Sequence, residues 1–200
     1  MKFKEILAIS AMVLGLAAGS ASATVIDMLG TKEFNDGDGP IFVEFTANAN
    51  GDPAPFNQFI GNDLNSGSVA DISFTHNIGP VPGATSASIE LGIYDHDSFS
   101  ATDDTLDIFF DGVLQDTSAW LGISSSPATH HIRSMVVDVA LLIDGLLDVR
   151  IVSSVPAGLS GNGIGVDYSK LTVEGAIPLP ASGILLLSAF GLIALRRKKS

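Results

Sequence analysis

From Thr24 to Val173 the chain is a series of short β-branched and aromatic runs, broken by clusters of Gly, Ser, Thr, Asn and Asp. The breaks come about every 8 to 15 residues, the pattern of an antiparallel β-sandwich. The expected fold is therefore all-β and jelly-roll-like. Strands are expected at Thr24–Met28, Ile41–Ala47, Val69–His76, Ala87–Tyr94, Thr105–Phe110, Val113–Asp116, Ile132–Val139, Leu146–Ser153 and Val166–Val173. Ile89, Leu91 and Ile93 alternate with Glu90, Gly92 and Tyr94, which assigns one face of that strand to the core. Val149 and Ile151 alternate with Arg150 and Val152 in a weaker form. Asp111-Gly112, between two apolar runs, predicts a two-residue type I′ turn, because both turn residues need positive φ. Val136–Leu147 has room for one brief helix, and Phe34–Asn65 is the loosest stretch, with Asp-Gly, Gly-Pro and Asn-Gly steps marking long turns.

Both ends carry sorting chemistry. Lys2 and Lys4 precede an apolar run from Ile6 to Ala18, and Ala21-Ser22-Ala23 is a small-x-small cleavage site, so residues 1–23 are expected to be a signal peptide. At the other end, Ile177-Pro178-Leu179-Pro180-Ala181 opens an uncharged apolar run to Leu195, and Arg196-Arg197-Lys198-Lys199 follows it. A comfortable membrane span needs roughly 20 apolar residues, so a single transmembrane helix here is marginal. The basic tail would hold the extreme C-terminus in the cytoplasm and leave everything upstream on the other side.

Motif, marginal span and basic tail together resemble the PEP-CTERM class of C-terminal sorting signals of Gram-negative bacteria. More narrowly they resemble its VPLPA-CTERM variety, with Ile177 standing where that variety usually has Val. The resemblance covers residues 177–200. It implies recognition and removal of the tail by an exosortase, a membrane transpeptidase-like enzyme, often in organisms that export polysaccharide. It also implies only transient residence of the tail in the inner membrane. Residues 76–173 loosely resemble the sandwich domains common among proteins with this signal.

The segment between the two signals, residues 24–176, is one domain of ordinary size. Its cations are Lys32, Arg133, Arg150 and Lys170, set against 21 carboxylates, a net charge of −17. Nucleic acid, which requires a basic surface, is excluded as a partner. The absence of cysteine excludes disulfides, thiolate metal sites and thiol catalysis.

Asp95, Asp97, Asp103, Asp104 and Asp107 fall within 13 residues in and beside a loop between two expected strands. Ca²⁺ takes six to eight hard oxygens, and such a loop can offer carboxylates, hydroxyls and carbonyls together. It is not an EF-hand: Ser100 and Leu106 occupy the positions that need Gly and Glu. The competing account is a solvated acidic loop. Asn35–Gly39 is a weaker cation candidate, better explained as a turn. His76, His96, His130 and His131 are expected to be core or solvated residues, since neighbouring His130 and His131 would point to opposite faces of a strand. Gly158-Leu159-Ser160-Gly161-Asn162-Gly163 fails as a nucleophile elbow, because loop and strand flank it and Asn162 replaces the second glycine. Trp120 is the one tryptophan available to stack on a sugar ring, with a core position as the alternative.

These features describe an exported protein of the cell envelope, cell surface or exopolysaccharide matrix, structural or adhesive and not enzymatic. A carbohydrate-binding β-sandwich module is the alternative. A secreted hydrolase would need a cleft of converging carboxylates.

Overall fold

Ile89, Leu91 and Ile93 are fully enclosed and Glu90 keeps contact with solvent, as the alternation predicts, but Gly92 and Tyr94, expected on the more exposed face, are buried as well, Tyr94 beneath the Phe45 ring. The computed structural model describes residues 21–40, 42–61, 68–94, 106–118, 129–153 and 163–177. Thr24–Glu174 forms one compact unit. Ten strands are described: β1 Ala21–Gly30, β2 Phe59–Gly61, β3 Ser68–Val69, β4 Asp71–Asn77, β5 Ala84–Tyr94, β6 Leu106–Phe110, β7 Val113–Leu114, β8 His130–Val137, β9 Leu146–Ser153 and β10 Gly163–Ile177.

They form a six-stranded sheet in the order β3-β2-β10-β5-β8, with β1 also paired to β10, and a four-stranded sheet in the order β4-β9-β6-β7. Apart from β2 and β3, which pair in parallel, the chain passes back and forth between the sheets. One sheet then holds β1-β10-β5-β8 and the other β4-β9-β6-β7, a jelly-roll-like winding. The facing sides meet in one core that includes Ile72, Leu91, Ile108, Phe110, Val149, Ile151, Leu171 and Val173. Each fully buried side chain of this kind contributes about 1.5–3 kcal/mol. On β9, Leu147, Val149 and Ile151 are buried while Asp148 and Arg150 face water.

The β6–β7 turn is as expected: Phe110 pairs with Val113, and Asp111 and Gly112 have φ of 48° and 77°. Asp111 also receives the Asp148 amide on Oδ1 at 2.8 Å and returns its own amide to the Asp148 carbonyl at 2.9 Å, tying the turn to β9. The brief helix expected near residue 140 is a 3₁₀ turn, Val139–Leu142, capped by Asp138 accepting from the Ala140 amide.

One expected strand is overturned. Residues 42–49 form helix α1, Phe42–Ala49, where the aromatic, β-branched run predicted a strand. Phe45 and Ala49, one helical turn apart, are buried against Phe59 and Tyr94, whereas Val43 is 67% exposed. The Phe45 ring stacks on Tyr94 with centroids 4.4 Å apart and meets Phe59 edge-on at 5.5 Å. Burial of that one helical face outweighs the weak strand propensity of the run.

Candidate functional site

After β1 the segment Thr31–Asp38 passes β10 and reaches β8 as a strap. Gly37 donates its amide to the His130 carbonyl, and His130 donates its own to the Asp38 carbonyl, both at 2.8 Å. Asp36 Oδ1 accepts the Ile132 amide at 2.9 Å. That hydrogen bond, helped by the neighbouring histidines and Arg133, holds the Asp36 carboxyl below the usual carboxylate range. Phe34 packs on both Phe45 and His130, joining the strap to α1. Asn35–Gly39 is a turn: the Asn35 amide donates to Asp38 Oδ2 at 2.7 Å, and Gly37 takes φ of 83°.

Beneath the strap lies a polar seam. Asp167 on β10 is almost wholly buried, and its Oδ2 accepts the amides of Glu33 at 3.2 Å and Phe34 at 3.4 Å. His130 Nε2 is 3.3 Å from the same oxygen without hydrogen-bond geometry. Its Nδ1 faces the Asn35 carbonyl at 3.2 Å; a carbonyl only accepts, so Nδ1 carries the hydrogen. Burial, then the neighbouring Asp167 and Asp52 carboxylates, push the Glu33 carboxyl up to about 8.

Next to the seam, Glu90 gathers two of the domain's four cations. Its Oε1 accepts the Tyr168 hydroxyl at 2.8 Å and Lys170 Nζ at 3.4 Å, with Lys32 Nζ at 3.9 Å. Burial would raise Glu90, but Tyr168 and the two ammonium groups bring it below its ordinary value. Lys32 also sits 5.1 Å above the Tyr168 ring. Gly92 makes the close approach feasible: a Cβ there would meet the Tyr168 ring at 2.6 Å and His130 Nε2 at 2.8 Å.

A second constellation has the hydrogen-bonding order of a catalytic triad. His76 Nδ1 lies 2.9 Å from Asp27 Oδ2, and its Nε2 lies 2.8 Å from Ser169 Oγ. Yet Ser169 and His76 are both fully enclosed, so no substrate carbonyl can come within the roughly 3 Å that attack requires. The arrangement is a latch: β1 and β10 belong to one sheet, β4 to the other. Asp27 Oδ2 also accepts the Asn77 amide at 3.2 Å.

Of the residues singled out in the sequence, His76, His130 and His131 are buried. His130 and His131 serve different contacts, the first with Asp167 and the second with Asp36. Asp107 lies on β6 opposite Val152, whereas Asp95, Asp97, Asp103 and Asp104 lie outside the described residues. Among the described residues no group of three His, Asp or Glu side chains is placed to hold a metal ion. Ala21 and Ala23 lie in β1, and Ile177 is the last residue of β10. Trp120, His96, Ser160, Pro178 to Ala181 and the basic tail lie outside the described residues. Among the described residues no helix is long and apolar enough to cross a membrane. Sequence reasoning missed Asp27, Glu33, Asp167 and Ser169. Asp167 alone carried a local signal, a carboxylate inside the mostly apolar run Ile164–Leu171.

The strand order and shared core define an all-β sandwich. No protein-family model and no curated protein matches the chain. Among solved structures it is similar to dimeric latent PorU from Porphyromonas gingivalis, at 9% identity and TM-score 0.43, over 80% of this chain and 14% of that one. It is also similar to the CBM36-1 domain of a multidomain xylanase from the hindgut metagenome of Trinervitermes trinervoides, at 13% identity and TM-score 0.34, over 76% of this chain and 96% of that one. The ANXUR2 extracellular domain from Arabidopsis thaliana shows 12% identity and TM-score 0.35, over 81% of this chain and 42% of that one. Likenesses at these scores carry no argument about what this chain does.

Proposed function

We propose that this chain is an exported β-sandwich protein of the cell envelope, cell surface or exopolysaccharide matrix, with a structural or adhesive role. The observation that carries the reading is the pairing of two export features at opposite ends: Lys2/Lys4 with the Ala21-Ser22-Ala23 site, and Ile177–Ala181 with its span and basic tail. An exosortase is the partner this implies, and the membrane is a transient one. The contacts of Asp27, His76 and Ser169, and of Asp167 with the strap, brace one segment of the sandwich against another, which suits a structural role. The test is fractionation of cells carrying the full chain or a variant ending at Ala176. The full chain should reach the envelope or matrix and the shortened one should be mis-sorted. Equal distribution of the two would overturn the reading.

A second reading, a carbohydrate-binding module, draws on the four-stranded sheet. There Phe109 is half-exposed with the Arg150 guanidinium 5.7 Å from its ring, an aromatic and polar pairing on which a sugar face can stack. Trp120 is the other aromatic candidate for such stacking. Affinity electrophoresis in gels containing envelope polysaccharide separates the readings: retardation lost in Phe109→Ala or Trp120→Ala favours the module, and no retardation of the native protein removes it.

A further inference from the structure

β8 ends the six-stranded sheet on one side, and the strap covers only half of its free edge. His130 sends its amide and its carbonyl outward to Asp38 and Gly37, and Ile132 sends its amide outward to Asp36. Alternate residues of an edge strand turn their backbone groups the same way, so the amides and carbonyls of Ser134 and Val136 face outward too. Among the described residues no partner takes them up, since β8 pairs only with β5 on its other side. Both side chains are exposed, Val136 to 82%, and neither proline nor a carboxylate interrupts residues 129–137. An edge open in this way is a template for another strand.

We propose that the open half of β8 pairs antiparallel with the same segment of a second copy of this chain, joining two sandwiches edge to edge. With Met135 at the two-fold axis, Ser134 of each copy lies opposite Val136 of the other, and hydrogen bonds satisfy every outward amide and carbonyl of these two residues in both chains. The register fits the limits of the edge. Where Asp36 already holds the Ile132 amide, the second copy has reached its Asp138 and leaves the strand for the 3₁₀ turn that Asp138 caps. It also fits the charges. Two domains of net charge −17 repel, yet the paired segments carry no carboxylate, and each Arg133 comes alongside residues 137–138 of the other copy, a cation against an acidic strand end. So short a contact is small beside the roughly 1,600 Å² of a standard interface, so association is concentration-dependent and strengthens with salt, which screens the repulsion.

The chain has no cysteine, so introduced thiols report the register on the full chain in detergent. Residues 134 and 136 of opposite copies have Cα atoms about 5.5 Å apart in this pairing, within disulfide reach, whereas 134 meets 134 and 136 meets 136 only diagonally, at about 7–8 Å. Under mild oxidation a mixture of Ser134→Cys and Val136→Cys chains should form the mixed disulfide dimer at least about tenfold faster than either variant forms its own. Ser134→Pro removes an outward amide and leaves the β5 ladder intact, so it should keep the native melting curve while lowering the association constant in sedimentation equilibrium at least about tenfold. Equal cross-linking in the mixture and in the single variants, or no cross-linking at all, would overturn the pairing, as would unchanged association in a folded Ser134→Pro or association that weakens with added salt. The cysteine mixture decides the matter even if the proline variant fails to fold.

Discussion

His76 of the four-stranded sheet and Ser169 of the six-stranded sheet meet at 2.8 Å in the enclosed interior, although 93 positions separate them in the chain. With Asp27 on the other side of the imidazole, this contact ties the two sheets together in a domain that has no disulfide. Ser169→Ala should therefore cost about 1–3 kcal/mol in chemical denaturation, because it leaves a buried ring nitrogen without a partner. The double variant His76→Leu/Ser169→Ala should recover part of the loss, since an apolar pair leaves no orphan. A single Ser169→Ala variant as stable as the native chain would show that the latch carries no weight.

The latch also sets an acid limit. Burial lowers His76 from its ordinary 6.5 despite the opposing pull of Asp27. Below pH 6.5 the unfolded chain then binds a proton that the folded one refuses, and stability falls as pH drops from 6.5 toward the folded value. Glu33 acts in the opposite sense. Its carboxyl is raised from 4.5 to about 8, so its contribution is complete below 4.5, declines as pH rises from there, and is lost once pH passes about 8. Melting temperatures across pH should show both slopes, with Glu33→Gln removing the one on the alkaline side and leaving the one on the acid side. Loss of both slopes in that variant would contradict the assignment.

The alternation Ile89, Leu91, Ile93 and the Asp111-Gly112 turn were legible because each depends on a few adjacent residues. Helix α1 was not, since Phe42–Ala49 contains the residue types of a strand and only its docking on Tyr94 and Phe59 makes it a helix. Nor were the seam and the latch. Glu33 meets a residue 134 positions away and Asp27 one 49 away, and nothing local distinguishes either carboxylate from the other acidic residues of the chain. The acidic loop 95–104 was conspicuous for the converse reason, being wholly local.

Two glycines should respond differently to alanine. Gly112 has open space where a Cβ would go, so Gly112→Ala should cost only the backbone strain of positive φ, about 1–2 kcal/mol. Gly92→Ala drives a methyl into Tyr168 and His130 and should cost more, with strap protection reduced as well. Thermal melts of the two variants check the order, and equal losses would count against the packing described for the strap.

The acidic loop offers a prediction of its own. If Asp95, Asp97, Asp103, Asp104 and Asp107 hold Ca²⁺, the ion at about 100 times its dissociation constant adds about 2.7 kcal/mol and raises the melting temperature by several degrees. Mg²⁺ at matched ionic strength should do less. Equal melting curves in the two ions, or an unchanged Ca²⁺ response in Asp95→Ala/Asp97→Ala, would reduce the loop to a solvated acidic turn.

Export and double processing are the centre of the account, and mass spectrometry of the protein recovered from its native envelope tests them most directly. The account predicts a chain that begins at Thr24 and has lost the basic tail Arg196 to Ser200 together with its apolar span, with any attached group visible as added mass at the new C-terminus. Recovery of the intact chain from Met1 to Ser200 in the mature envelope fraction would contradict it.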